Sequence, residues 1–263
     1  MSFAISMMGR PVRQDSAVRD RVSDAEWQAR VELAAAYRLI AHFRMTDTIY
    51  NHISLRVPDQ EGLFLINAFG LLYEEVAASN LVKITIDGEI IDDPTGMGVN
   101  RPGFIIHGAI HRARSDIAAV LHTHTTAGIA VSAQKHGLLP ISQHAAELIG
   151  RIAYHEFEGI AVDLDEQKRL VSDLGKHNAM ILNNHGLLTA GRTVGECFQI
   201  MLRLERACSV QIAALSGGSG LRAITDQAVT STHATVDQLG GDYSRDWSAL
   251  LRLAYRIDPA FAG

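Results

Sequence analysis

The chain of 263 residues is 47% hydrophobic, long enough for one large α/β domain to bury most of the surface its unfolded form exposes. Its formal net charge is −5, from 24 basic and 29 acidic residues in mixed order; without a Lys/Arg-rich block, neither nucleic acid nor an anionic membrane is an expected partner. Apolar runs such as Ile117 to Leu121 fall far short of a membrane span and no sustained apolar segment opens the chain, so the expected location is the cytoplasm.

Residues 1–22 mix Arg, Asp, Gln and Ser without an apolar period and read as a loosely held arm. Ser23 and Glu26 have capping-box spacing, and Trp27, Val31, Ala34, Ala35, Leu39 and Phe43 recur near helical spacing, which predicts a long helix ending near Arg44. His52 to Val57 and Leu63 to Asn67 read as antiparallel strands, and Asp87-Gly88 marks a hairpin between Leu81–Ile86 and Glu89–Ile91. Asp93 to Gly103, with two prolines and three glycines, reads as a loop before a helix over Phe104–Arg114.

Further along, strands are expected at Ala118–His124, Ala179–Asn183 and Leu187–Thr189, with helices over Ala127–Lys135 and Glu166–Lys176. Thr193 and Glu196 repeat the capping-box spacing ahead of a long helix to about Leu215, broken by Ser216-Gly217-Gly218-Ser219-Gly220. Cys197 and Cys208 fall on that one helix, form no CxxC pair and read as buried reduced thiols. The hairpins and interleaved helices predict an α/β fold on a mixed, largely antiparallel sheet: a core domain over residues 23–220, then a helical tail over 221–263.

With twelve histidines, a chance His-x-His arises about 0.5 times in such a chain, so the pattern alone is weak. Its placement is informative: His122 and His124 close an apolar strand, where residues two apart share a face and both rings can converge on one ion. The bland alternative is a pair of strand-end histidines hydrogen-bonded to neighbours. His185, in the turn Asn183-Asn184-His185-Gly186 after a strand, supplies a third candidate ligand. Three neutral imidazoles suit zinc, iron, cobalt or manganese and leave positions open for a small-molecule substrate, a catalytic rather than a structural form of site. A divalent ion so held can polarise a carbonyl and stabilise an enolate.

The segments Asn51-His52-Ile53-Ser54-Leu55-Arg56, Phe64-Leu65-Ile66-Asn67-Ala68-Phe69-Gly70-Leu71-Leu72-Tyr73-Glu74-Glu75-Val76 and Ala78-Ser79-Asn80-Leu81-Val82-Lys83 resemble the class II aldolase/adducin family. So do Gly98-Val99-Asn100, Gly103-Phe104-Ile105-Ile106-His107, His122-Thr123-His124 and Asn184-His185-Gly186-Leu187. The resemblance spans about residues 25 to 215 and is closest to the adducin-like branch, with the histidines retained. It implies a three-layer α/β/α sandwich, a zinc-type ion on His122, His124 and His185, and homotetramers with sites near subunit interfaces.

One departure matters: the resemblance implies an acid/base glutamate ahead of His107, and this chain has Gly103 there. Two phosphate-holding serines are lost in the same stretch, and the Gly-Asn of the first loop has become Asn51-His52. Another base is then needed, and a metal hydroxide, His52, Tyr73, Glu74 or Glu147 can be named. Tyr73 and Glu74 are the catalytic candidates and His52, Asn67 and Gly70 the substrate-binding ones, with turn geometry or solvent exposure as the ordinary alternatives. His107 is expected to be a buried packing residue and His111 a helix-surface residue, while His144 and His155 flank a loop carrying Glu147.

The expected activity is a metal-dependent lyase reaction, retro-aldol cleavage or decarboxylation, on a small hydroxy- or oxo-acid. The alternatives are a non-haem iron oxygenase performing oxidative decarboxylation, and a non-catalytic adducin-like binding or scaffold protein.

Overall fold

The computed structural model describes residues 17–159, 164–218, 220–239 and 243–263. The strands are β1 His52–Arg56, β2 Leu63–Ile66, β3 Val82–Thr85, β4 Ile90–Asp92, β5 Ala119–Thr123, β6 Ile152–His155, β7 Ala179–Leu182 and β8 Gly186–Gly191. They form one sheet in the order β4-β3-β2-β1-β5-β8-β7-β6. Every neighbouring pair is antiparallel except β6 with β7, so the expected mixed, mostly antiparallel sheet is what forms.

The helices are α1 Ala17–Arg21, α2 Asp24–His42, α3 Arg101–Ala113, α4 Thr126–Ser132, α5 Gln143–Leu148, α6 Leu164–Leu174, α7 Val194–Ser216, α8 Asp226–Gln238 and α9 Ser244–Ile257. Strand alternation divides the core between the two sheet faces. Val120, Met180, Leu182, Leu188 and Ala190 pack with Ile106 and Ile110 of α3 and Leu170 and Leu174 of α6. The intervening Leu121, Ile181 and Leu187 belong to the core that holds α2 and α7 on the opposite face, completing the three layers. No helix among the described residues is long and apolar enough to cross a membrane.

Ser23 and Thr193 cap α2 and α7 as expected, accepting from the backbone N–H groups of Glu26 and Glu196 at 3.1 and 3.0 Å. The reciprocal halves of the two boxes do not form. Glu26 is fully buried and accepts instead from Arg30 Nε, Gln60 Nε2 and Lys83 Nζ at 2.9, 2.9 and 2.6 Å. Glu196 takes the Arg192 backbone N–H at 2.7 Å, one residue ahead of the cap. Another correction concerns the Asp93–Gly103 loop, which ends at Asn100 because α3 tolerates proline in its first turn, where no backbone donor is needed.

The expected arm lies outside the described residues up to residue 16; Ala17–Arg21 is helical, with Val18 fully buried. Beyond residue 220, Trp247, Ala254 and Phe261 are buried in the main core, and Ser79 Oγ donates to the Gly263 carbonyl at 2.7 Å. The short β6 and α5 were not foreseen. Cys197 and Cys208 are buried free thiols.

Candidate metal centre

β5 occupies the middle of the sheet, between β1 and β8, and the alternation of its side chains divides the two faces at its C-terminal end. Thr123 points to the α7 face, where its hydroxyl donates to Met201 Sδ at 3.4 Å. His122 points to the α3 face, paired in register with His52 on one side and Leu188 on the other. His124 follows the strand, and Thr125 then caps α4 by accepting from Gly128 N–H at 3.1 Å.

His185 arrives from the tight β7–β8 connection. Asn184 takes a left-handed conformation, φ 56°, and the next strand starts at Gly186, where a Cβ would lie 2.3 Å from the Thr123 carbonyl oxygen. Only glycine lets the backbones approach so closely, and that approach brings His185 over β5. His122 Nε2 lies 2.9 Å from His124 Nε2 and 3.3 Å from His185 Nε2, and the three nitrogens fall within 4.8 Å of one another. The three sequence-selected histidines therefore meet at one point.

The tautomers of two rings are fixed by what lies behind them. His122 Nδ1 sits 2.8 Å from the Leu187 carbonyl, which can only accept, so Nδ1 carries the hydrogen and Nε2 a lone pair. His124 Nδ1 sits 3.0 Å from Asp47 Oδ2, and an ionised carboxylate imposes the same tautomer. Burial, reinforced by the charge each ring would feel from its neighbours, holds His122 well below the usual histidine range and lowers His185 to about 4. Protonation of these two rings is thus disfavoured, which leaves the His122 Nε2 lone pair free to bind a cation. Nitrogens 2.0–2.1 Å from a common zinc-type ion stand about 2.9 Å apart at a right angle and about 3.3 Å apart at a tetrahedral one, which are the spacings His122 makes to its two neighbours.

Around the triad lie polar groups without protein partners. His52 is 3% exposed and its ring nitrogens make no well-aligned hydrogen bond; burial above all, partly offset by the adjacent Gly103 backbone, lowers it to about 4. Its ring fills the space beside Gly103, where a Cβ would lie 2.4 Å from His52 Cε1. Asn51, buried and left-handed at φ 67°, likewise has both amide atoms unpartnered. The buried Tyr73 hydroxyl has no partner either, and burial, then the neighbouring Tyr37 and Asp47, raises it well above the usual tyrosine range.

The remaining predicted residues are placed differently. Asn67 is engaged in the scaffold: its Oδ1 lies 2.8 Å from the Tyr37 hydroxyl, which also accepts from the Ile53 N–H at 2.8 Å. Gly70 sits in a turn at φ 110°. Glu74 is exposed on a 3-10 turn over Tyr73–Glu75 and does not join the three-imidazole group. Glu147 lies in α5 rather than in a loop, ion-paired with Arg203 at 2.9 Å. His155 Nδ1 is 2.7 Å from Asp173 Oδ2.

Residues 31–212 match the family model described as "Class II Aldolase and Adducin N-terminal domain". The chain belongs to the class II aldolase and adducin family. The "Putative aldolase class 2 protein" of Caulobacter vibrioides is 43% identical over 250 residues, 93% of this chain and 96% of that one. Alpha-adducin of Rattus norvegicus is 47% identical over 193 residues, 73% of this chain but 26% of adducin. The solved aldolase II superfamily protein from Pseudomonas syringae superposes with a TM-score of 0.91 at 54% identity, covering 94% of this chain and all of that one. The L-fuculose 1-phosphate aldolase from Glaciozyma antarctica gives 0.79 at 27% identity, over 89% and 91% of the two chains.

Within this aldolase and adducin scaffold, His107 is buried, as expected, and His111 is too, a correction to its expected surface position. His107 Nδ1 and His111 Nε2 each lie 2.8 Å from Ser54 Oγ, and His107 stacks 4.1 Å from His52, centroid to centroid. Spacing of i,i+4 marks a shared helix face but not which way it points. Three neighbours of the site went unread in the sequence: Asp47, Ser54 and the half-exposed Phe157, whose ring stands 6.1 Å from His185. A lone acidic, serine or aromatic residue in a loop or strand carries no periodic signal.

Proposed function

We propose that the chain is a metal-dependent carbon–carbon lyase that cleaves or decarboxylates a small hydroxy- or oxo-acid. The observation that carries this reading is the convergence of three imidazole Nε2 atoms, two of them with tautomers fixed for metal binding. His122, His124 and His185 would hold the ion, for which zinc is our first choice. When bound, it supplies Lewis-acid polarisation of a carbonyl and stabilises the negative charge that develops as the carbon–carbon bond breaks.

The chain's own residues bind and orient. His52, kept neutral, offers one ring nitrogen as donor and one as acceptor to polar substrate groups, and the Asn51 amide offers the same pair of functions. Tyr73 keeps its proton, which makes it a hydrogen-bond donor to substrate rather than a base. We retain Glu74 as a candidate catalytic carboxylate only if it is brought in from solvent.

Elemental analysis followed by assays of hydroxy- and oxo-acids with zinc, cobalt and manganese tests the reading. Turnover that disappears on chelation supports it, and no turnover under any of these ions sinks it. Ferrous iron on the same ligands would instead support an oxygenase, read directly as oxygen uptake. Similarity to alpha-adducin favours a second reading, a scaffold or binding protein without catalysis; metal-free purified protein, with His124→Ala leaving metal content unchanged, supports that one. We further propose a cytoplasmic homotetramer, measurable by sedimentation and cell fractionation.

A further inference from the structure

The loop that delivers Asp47 to His124 is held in an unfavourable conformation. Arg44, Thr48 and Asn51 all lie in the left-handed region, at φ 58°, 49° and 67°. That region is disfavoured for residues with a Cβ and most of all for a β-branched one such as Thr48. The loop is nevertheless pinned at both ends. Met45 is 1% exposed and its N–H donates to the Ile40 carbonyl, while Asn51 is buried where the chain enters β1. Between them the Asp47–Tyr50 bridge closes the turn, with Tyr50 N–H on the Asp47 carbonyl at 2.9 Å.

What the strained turn achieves is the placement of one carboxylate oxygen 3.0 Å from His124 Nδ1. This contact differs in kind from the one behind His122, where the acceptor is the neutral Leu187 carbonyl. An ionised acceptor fixes the ring's rotation and tautomer and also makes its other nitrogen a stronger donor to a metal. Asp47 reaches the ring from the side opposite Nε2 and is not part of the group whose ligand atoms converge, so it acts through His124 rather than on the ion.

We propose that Asp47 is a positioning residue that orients His124 and tunes its strength as a metal ligand; this rests on the three-histidine metal reading above. The turn from Arg44 to Asn51 is then the device that holds the tuning charge in place.

Cobalt(II) binding to the full-length protein tests this through competition with a chromophoric chelator and through the visible absorption of the bound ion. Asp47→Asn keeps an acceptor of the same shape without the charge and is expected to weaken cobalt binding about 10-fold; Asp47→Ala, lacking both, is expected to approach about 100-fold. Asp47→Glu should recover part of the loss, a rescue that a purely structural role in the turn would not produce. If Asp47→Ala does not fold, Asp47→Asn decides. Wild-type affinity and an unaltered cobalt spectrum in Asp47→Asn overturn the proposal. Failure of the wild-type protein itself to bind cobalt overturns the metal reading instead, so the two failures are distinguishable.

Discussion

Gly103 and His52 pack as one unit: the glycine's missing side chain is the space the imidazole fills, and that imidazole is backed in turn by His107 at 4.1 Å. Neither rigid ring can swing away cheaply. Gly103→Ala is therefore expected to destabilise the protein by about 1–3 kcal/mol, visible as a lowered denaturation midpoint; an unchanged midpoint would contradict the packing argument. At the exposed Glu74 the expectation is the reverse, with Glu74→Gln leaving kcat/KM within about twofold. A larger loss would mean that the carboxylate is drawn into the site during turnover. The three converging histidines were legible because few residue types bind metals and because period two places His122 and His124 together. Asp47 and the fit of His52 against Gly103 were not, since each exists only once distant segments meet.

At the scale of elements, the capping spacings located the starts of α2 and α7, because a side-chain oxygen there answers an otherwise unpaired N–H. They misled on the glutamates, whose destinations are tertiary. Burial alone would raise the pKa of Glu26, but bonds from Lys83 and Arg30 more than offset it and hold the carboxylate below its ordinary 4.5. Its contribution to stability is thus fully present above about pH 5 and is lost as pH falls through the depressed folded value. Glu26→Gln should cost about 3–5 kcal/mol near neutrality by leaving Arg30 buried beside a neutral partner. The variant's deficit, followed by urea denaturation, should shrink under acid conditions; a deficit independent of pH would show that the charge does not matter. The strand β6 and helix α5 escaped the sequence because four and six residues are too few for a period to declare itself.

For the whole molecule, the sheet order was beyond reach of sequence patterning, since a strand's alternation says which face is buried but not which neighbour it takes. The mostly antiparallel pairing was readable from the hairpins and interleaved helices, whereas the three layers were implied by the family resemblance. Metal removal probes the assembled fold. With ion at about 100 times its dissociation constant, binding to the native state alone adds about 2.7 kcal/mol, so exhaustive chelation is expected to lower Tm by about 5–10 °C. Restoring zinc should restore Tm, and a Tm indifferent to chelation would argue that the imidazoles hold nothing.

His122 and His185 stand 63 positions apart in the chain yet meet across adjoining strands. An ion gripping both is in effect a removable cross-link, closing a long loop and narrowing the freedom of the unfolded polymer much as a disulfide does, without any redox chemistry. The protein's survival against heat and proteases would then track how much metal its surroundings supply, so that scarcity of the ion shortens the lifetime of the very molecule that uses it.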